Sequence, residues 1–191
     1  MPSLESLREL QVLVVHPHDR EGESIVRHLQ RIGCRVEAMW PPPVELPSRL
    51  DVVFYLIDDQ TRRSLPWFAS QPAAAIVAVV ERHASNIMRL LSDASPQAVV
   101  SKPVEAFETL TSLIVAHSIF RYEQRLNTKV RKLEETVRSV RKVEQAKSIL
   151  MKNMNLEEQE AYEYLRKHAM DRRVPIGRVA SAVIDANDIL S

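Results

Sequence analysis

Cysteine, glycine and aromatic side chains are all scarce in this 191-residue chain, which has one Cys, three Gly and 5 % Phe, Trp and Tyr. The lone Cys34 cannot close an internal disulfide and has no second thiol for a multi-cysteine zinc site, so a reducing, cytoplasmic setting is expected. So little glycine, beside 45 % apolar residues, fits a helix-rich soluble protein better than an all-β one. No glycine-rich phosphate loop and no nucleophile constellation is present, so no enzyme activity, cofactor or metal is expected. Long apolar runs are also missing. Nowhere do eighteen apolar residues follow one another, and Met1 to Glu9 is charged, so neither a membrane span nor a leader is expected. An excess of one charge is absent too: 26 bases face 25 acids, which excludes a globally basic nucleic-acid binder and requires any such surface to arise by local clustering.

The chain is long enough for one good core plus a smaller unit, so two domains with a connector are expected. Leu10 to Val15 is a short, β-branched apolar run that reads as a buried strand. Gly22 to Ile32 carries Ile25, Val26, Leu29 and Ile32 at helical spacing and is stopped by Gly33. Cys34 to Trp40 alternates like a strand until Pro41 to Pro43, which lack donors, end it. Asp51 to Ile57, Ala74 to Val80 and Ala98 to Val100 complete a set of five strands. The stretches between them are long enough for crossovers, so parallel pairing with helices on both faces is expected over residues 8–118.

From Ile119 onward, Leu126, Val130, Leu133, Val137 and Val140 recur in alternating steps of four and three. That is a coiled-coil seam, and it makes residues 119–142 a dimerisation helix; one long amphipathic helix packed on its own domain is the alternative. Beyond Val143 the period changes. Ala146, Ile149, Leu150 and Met154 form one helix face, Asn155 with Glu158 fits a cap for a second helix ending near Arg173, and a third opens at Pro175. Residues 143–191 thus read as a three-helix bundle, and the fold class as α/β plus α.

The five strands followed by Lys102-Pro103 resemble the receiver domain of bacterial response regulators, which has a flavodoxin-like, doubly wound sheet. That resemblance calls for an acidic pair after strand one to hold magnesium and an aspartate ending strand three to accept phosphate. Here His16, Pro17 and His18 follow strand one, with Asp19 beyond them. Counted from Asp51, the acceptor position is Leu56, with Asp58 and Asp59 out of register. A pseudo-receiver that does not take phosphate is the expectation.

The blocks Gln145 to Met151, Glu160 to Arg166, Ala169 to Arg172 and Val179-Ala180 resemble the ANTAR RNA-binding domain. With Leu7 to Val14, Arg31 to Cys34, Trp40 to Pro43 and Asp51 to Phe54, the whole chain resembles AmiR/NasT-type transcription antitermination regulators. The resemblance implies a homodimer that binds hairpins in a nascent leader mRNA and keeps the terminator from forming. It also implies control by an amide-sensing, AmiC-like partner with a periplasmic-binding-protein fold. Lys147, Lys152, Arg166, Lys167, Arg172, Arg173 and Arg178 are candidate phosphate contacts, and Tyr162, Tyr164 and His168 interleave them as stacking platforms. Met151 and Met170 are further candidates on that surface, with packing as their alternative role. Two rival readings stand beside this one: a DNA-binding response regulator built on a helix-turn-helix, and an enzyme using His16, His18 and Asp19 near Lys102.

Overall fold

The computed structural model describes residues 7–58, 73–82 and 87–190. Five strands, β1 (Gln11–Val15), β2 (Arg35–Met39), β3 (Val52–Leu56), β4 (Ala75–Glu81) and β5 (Ala98–Lys102), form one parallel sheet in the order β2-β1-β3-β4-β5. All five match the expected segments to within two residues at each end. Because side chains alternate across a strand, Val12, Val14, Val52, Phe54 and Val77 enter one core, and Leu13, Val15, Val53, Tyr55 and Ile76 the other. The central strands are apolar throughout for that reason: both faces are covered.

Helix α1 (Arg20–Ile32) begins at Asp19, whose Oδ1 accepts the Glu21 and Gly22 N–H groups at 3.0 and 2.9 Å. It ends at Gly33, where φ is 102°; the Gly33 N–H donates to Gln30 O and the Cys34 N–H to Leu29 O, the two bonds of a Schellman turn. Ile25 and Leu29 pack on the sheet, and α2 (Ile87–Ala94) covers the opposite face through Ile87 and Leu91. The crossover expected between β3 and β4, and Asp59 with it, lies outside the described residues.

Helix α3 (Ala106–Met154) runs for 49 residues, roughly 73 Å at 1.5 Å per residue. It passes without interruption through the expected boundaries at 118/119 and 142/143, because no glycine or proline falls within it. The chain divides into two units, residues 1–124 and 125–191. In the first, Leu113 and Ala116 of α3 complete the sheet's core. In the second, the end of α3 is the first helix of the bundle, joined by α4 (Glu158–Arg172) and α5 (Ile176–Leu190).

The expected cap at Asn155 is not there. Asn155 is left-handed (φ 54°) and terminates α3, and the partly buried Leu156 packs on the bundle core before α4 starts. The cap of α4 is Glu157, whose N–H donates to Glu160 Oε2 at 2.9 Å. Val143, Ala146, Leu150, Ala161, Leu165 and Ala180 form the buried centre, with Ile176, Val179, Val183 and Ile184 around it. Three alanines among six core residues allow the helices to approach closely, and Leu165, fully buried, fills the middle.

Candidate nucleic-acid interface

At the C-terminal end of the sheet, where a receiver's chemistry would lie, the side chains are committed to structure. His16 is 2 % exposed. Its Nδ1 lies 3.0 Å from Pro17 O, so the proton sits on Nδ1 and donates to that carbonyl; Nε2 is buried without a partner among the described residues. Burial holds the imidazole below its ordinary pKa, with the Lys102 ammonium acting in the same direction. Gly22 is required here because a Cβ would stand 2.6 Å from Pro17 O and 2.8 Å from His16 Nδ1.

Asp19, besides capping α1, lies 3.3 Å from His16 Nδ1. Its carboxyl is slightly desolvated, yet lies below the usual range because it accepts the Gly22 N–H and faces His16 and Lys102. Lys102 pairs with Glu81 at 3.0 Å, and Leu56 is buried at the acceptor position. These residues do not fit a magnesium site: His16, Pro17 and Leu56 offer no carboxylate oxygen where a receiver needs three, and among the described residues no group of three His, Cys, Asp or Glu could hold a metal ion. No helix among the described residues is long and apolar enough to cross a membrane.

The seam positions Leu126, Val130, Leu133, Val137 and Val140 are between 41 and 65 % exposed, a row of apolar side chains along one stripe of α3. None of these five side chains is buried. At Val143 the stripe passes into the buried bundle core.

On the bundle, Lys152, Lys167, Arg172, Arg173 and Arg178 are exposed. Arg166 is exposed as well and leans on Glu163 at 3.6 Å. Tyr162 and Tyr164 of α4 are 40 and 37 % exposed, and the Tyr164 ring lies 4.4 Å from that of His168 at a tilt of 59°. Met151 and Met170 both reach the surface, so neither is a core residue.

Lys147 is the correction. Expected as an exposed phosphate contact, it is buried, and its Nζ lies 2.7 Å from Glu158 Oε1 and 2.9 Å from Glu144 Oε2. The hydrogen bonds to Glu158 and then to Glu144 raise its pKa, and the same bond to Lys147 lowers that of Glu158. Lys147 therefore ties the start of α4 to α3 rather than facing solvent. The Glu144 partner, three residues before it on the same helix, was legible from helical spacing. Glu158 was not, since it meets Lys147 only across the bundle.

Comparison with known proteins agrees with both units. Residues 10–117 match the family model described as AmiR, N-terminal, and residues 131–184 match the ANTAR domain. The aliphatic amidase regulator of Pseudomonas aeruginosa is 34 % identical over 95 % of this chain and 94 % of its own length. The transcriptional regulatory protein PdtaR of Mycobacterium tuberculosis is 29 % identical over 61 % of this chain and 57 % of its own. Among solved structures, the response regulator StyR superposes with a TM-score of 0.52 at 12 % identity, covering 93 % of this chain and 99 % of that one, a likeness of fold alone. With its receiver-like sheet, its helical ANTAR domain and a regulator as a full-length relative, the chain belongs to the AmiR/NasT-type transcription antitermination regulators.

Proposed function

We propose that this chain acts as a dimer that holds hairpins in a nascent leader transcript and so keeps the terminator from pairing. The observation that carries the reading is the surface of the ANTAR bundle, where exposed Arg166, Lys167, Arg172, Arg173 and Arg178 accompany the half-exposed Tyr162 and Tyr164 on a chain with no overall basic excess. Arginines neutralise backbone phosphates, and tyrosines stack on unpaired loop bases, which duplex DNA does not offer. Met151 and Met170, which also reach the surface, serve as apolar contacts for the same loops.

Dimerisation follows from the seam. Five apolar residues in alternating steps of four and three are left in water on one chain and are covered when a second copy packs knobs into holes. Control passes through a protein partner rather than phosphate, since the receiver position holds Leu56 and the acid positions hold His16 and Pro17. The relative in Pseudomonas is an amidase regulator, so an amide-sensing partner with a periplasmic-binding-protein fold, of the AmiC kind, suits this chain. The test is to cross-link the full chain to RNA in cells and sequence what co-purifies. Paired stem-loops upstream of terminators are expected, and recovery of structureless fragments or genomic DNA alone would overturn the reading.

A further inference from the structure

We propose that the receiver-like unit carries a binding site for a small, uncharged and largely apolar molecule with one hydrogen-bond donor, such as a phenol or an alcohol, in a cavity between α1 and strands β1 and β2. The site lies apart from the surface of the ANTAR bundle, and it depends neither on the RNA-binding reading nor on a protein partner.

The cavity, about 320 Å³, is walled by Val14 of β1, Pro17, Val26 of α1 and Ala38 of β2. Its volume lies at the small end of the range of about 300–1,000 Å³ that small-molecule sites occupy. Val14 and Ala38 are register partners on neighbouring parallel strands, and Val36, two residues before Ala38, packs in the core that α1 covers through Ile25 and Leu29. Both side chains therefore stand on the α1 face of the sheet. Two small residues keep the space open. Gly22 cannot carry a side chain there, because a Cβ would meet Pro17 O at 2.6 Å, and Ala38, lining the same cavity from β2, supplies only a methyl group.

The polar groups around the cavity fix what it can take. Pro17 O already accepts from His16 Nδ1 at 3.0 Å and from the Asp19 N–H at 2.8 Å, and the Gly22 N–H is bound to Asp19 Oδ1. His16 also lines the cavity, and its Nε2 is the one buried side-chain polar atom of the lining residues without a partner among the described residues. With Nδ1 donating, Nε2 can only accept. A hydroxyl or N–H on an otherwise apolar molecule supplies what that atom lacks, and an unmade hydrogen bond to a buried acceptor is costly to leave.

Charge is not called for. The exposed residues of the lining include Glu23 and Arg27, which lean on each other at 3.8 Å and offset each other's sign. A carboxylate or an ammonium entering between Val14, Val26 and Ala38 would lose its hydration and meet no buried counter-charge among the lining residues.

The test uses the full-length protein with isotope-labelled alanine and valine methyls and histidine ring nitrogens, titrated by NMR with phenol, cyclohexanol, toluene and benzoate. Phenol and cyclohexanol are expected to shift the Val14, Val26 and Ala38 methyls saturably, with dissociation constants of about 1–10 mM, and to move the His16 Nε2 resonance. Toluene, which has the shape of phenol and no donor, is expected to shift the methyls and leave Nε2 unmoved, and benzoate to bind at least about tenfold more weakly than phenol. Ala38→Leu from the strand side and Val26→Phe from the helix side fill the space, so each is expected to weaken phenol by at least about tenfold, with thermal melts showing which variants are folded. Absence of saturable shifts at these residues in the wild type overturns the site, whether a partner's side chain or only water then fills the cavity. Phenol affinity unchanged in folded Ala38→Leu also overturns it, by placing the ligand elsewhere. Benzoate binding as tightly as phenol overturns the uncharged class, and an Nε2 resonance that phenol leaves unmoved overturns His16 as the acceptor.

Discussion

Replacing Arg173 by glycine is expected to stabilise the protein and weaken its grip on RNA in the same variant. Arg173 sits at φ 53°, ψ 42°, with its N–H bonded to Met170 O at 3.1 Å and the Val174 N–H to Ala169 O at 3.0 Å, so the left-handed turn is fixed by the end of α4 and not by the side chain. A non-glycine residue pays about 1–2 kcal/mol there, and glycine returns about 0.5–1 kcal/mol of that through its greater freedom in the unfolded chain. The net gain is about 0.5–1 kcal/mol, a rise of about 1–4 °C in the thermal midpoint for a chain of this size. Loss of one phosphate contact should meanwhile lower the salt slope of RNA binding by about 0.7–0.9. Differential scanning calorimetry and a salt titration on the same preparation read both quantities. A lowered midpoint would refute the assignment of strain, and an unchanged slope would refute the assignment of contact.

Three further outcomes are expected. Lys147→Met should lower the midpoint by releasing α4 from α3 and leave the salt slope of RNA binding unchanged, whereas an altered slope at an unchanged midpoint would make Lys147 a phosphate contact after all. Because pairing raises the Lys147 pKa, its contribution persists through neutral pH and disappears only as pH rises through that raised value. Burial lowers the pKa of His16, so the unfolded chain binds that proton first and stability should be level above the ordinary pKa near 6.5 and decline below it, by at most about 1.4 kcal/mol per pH unit; a His16→Gln variant with an equally steep acid limb would contradict this. Acetyl phosphate with magnesium should leave no label on the protein, and stoichiometric label at Asp58 or Asp59 would overturn the pseudo-receiver reading.

Much of the fold was legible because its signals are local. Val12 to Val15, Val52 to Leu56 and Ala75 to Val80 are short apolar runs in the interior of a parallel sheet, and Gly33 and Pro41 to Pro43 punctuate them by backbone chemistry alone. The seam residues were legible by period, since a stripe along α3 is fixed by 3.6 residues per turn.

What sequence could not supply was pairing across elements. Helical spacing gives Lys147 one acidic neighbour, Glu144, but not the second, Glu158, which closes over it from α4 and leaves it buried where Lys152 is exposed. By residue type Asn155 is the expected cap, and it is displaced to Glu157 because Leu156 packs on the bundle core. The approach of α5 to α3 at Gly177 and Ser139 has no local signal either.

The most direct measurement is competition between a stem-loop RNA and a duplex DNA of the same stem sequence for the full-length chain at a single salt concentration, with the mass of the complex read by light scattering. A dimer carrying one stem-loop on each bundle, with the DNA displaced, is the result expected. A monomer, or a dimer that takes the duplex as readily as the hairpin, would contradict it.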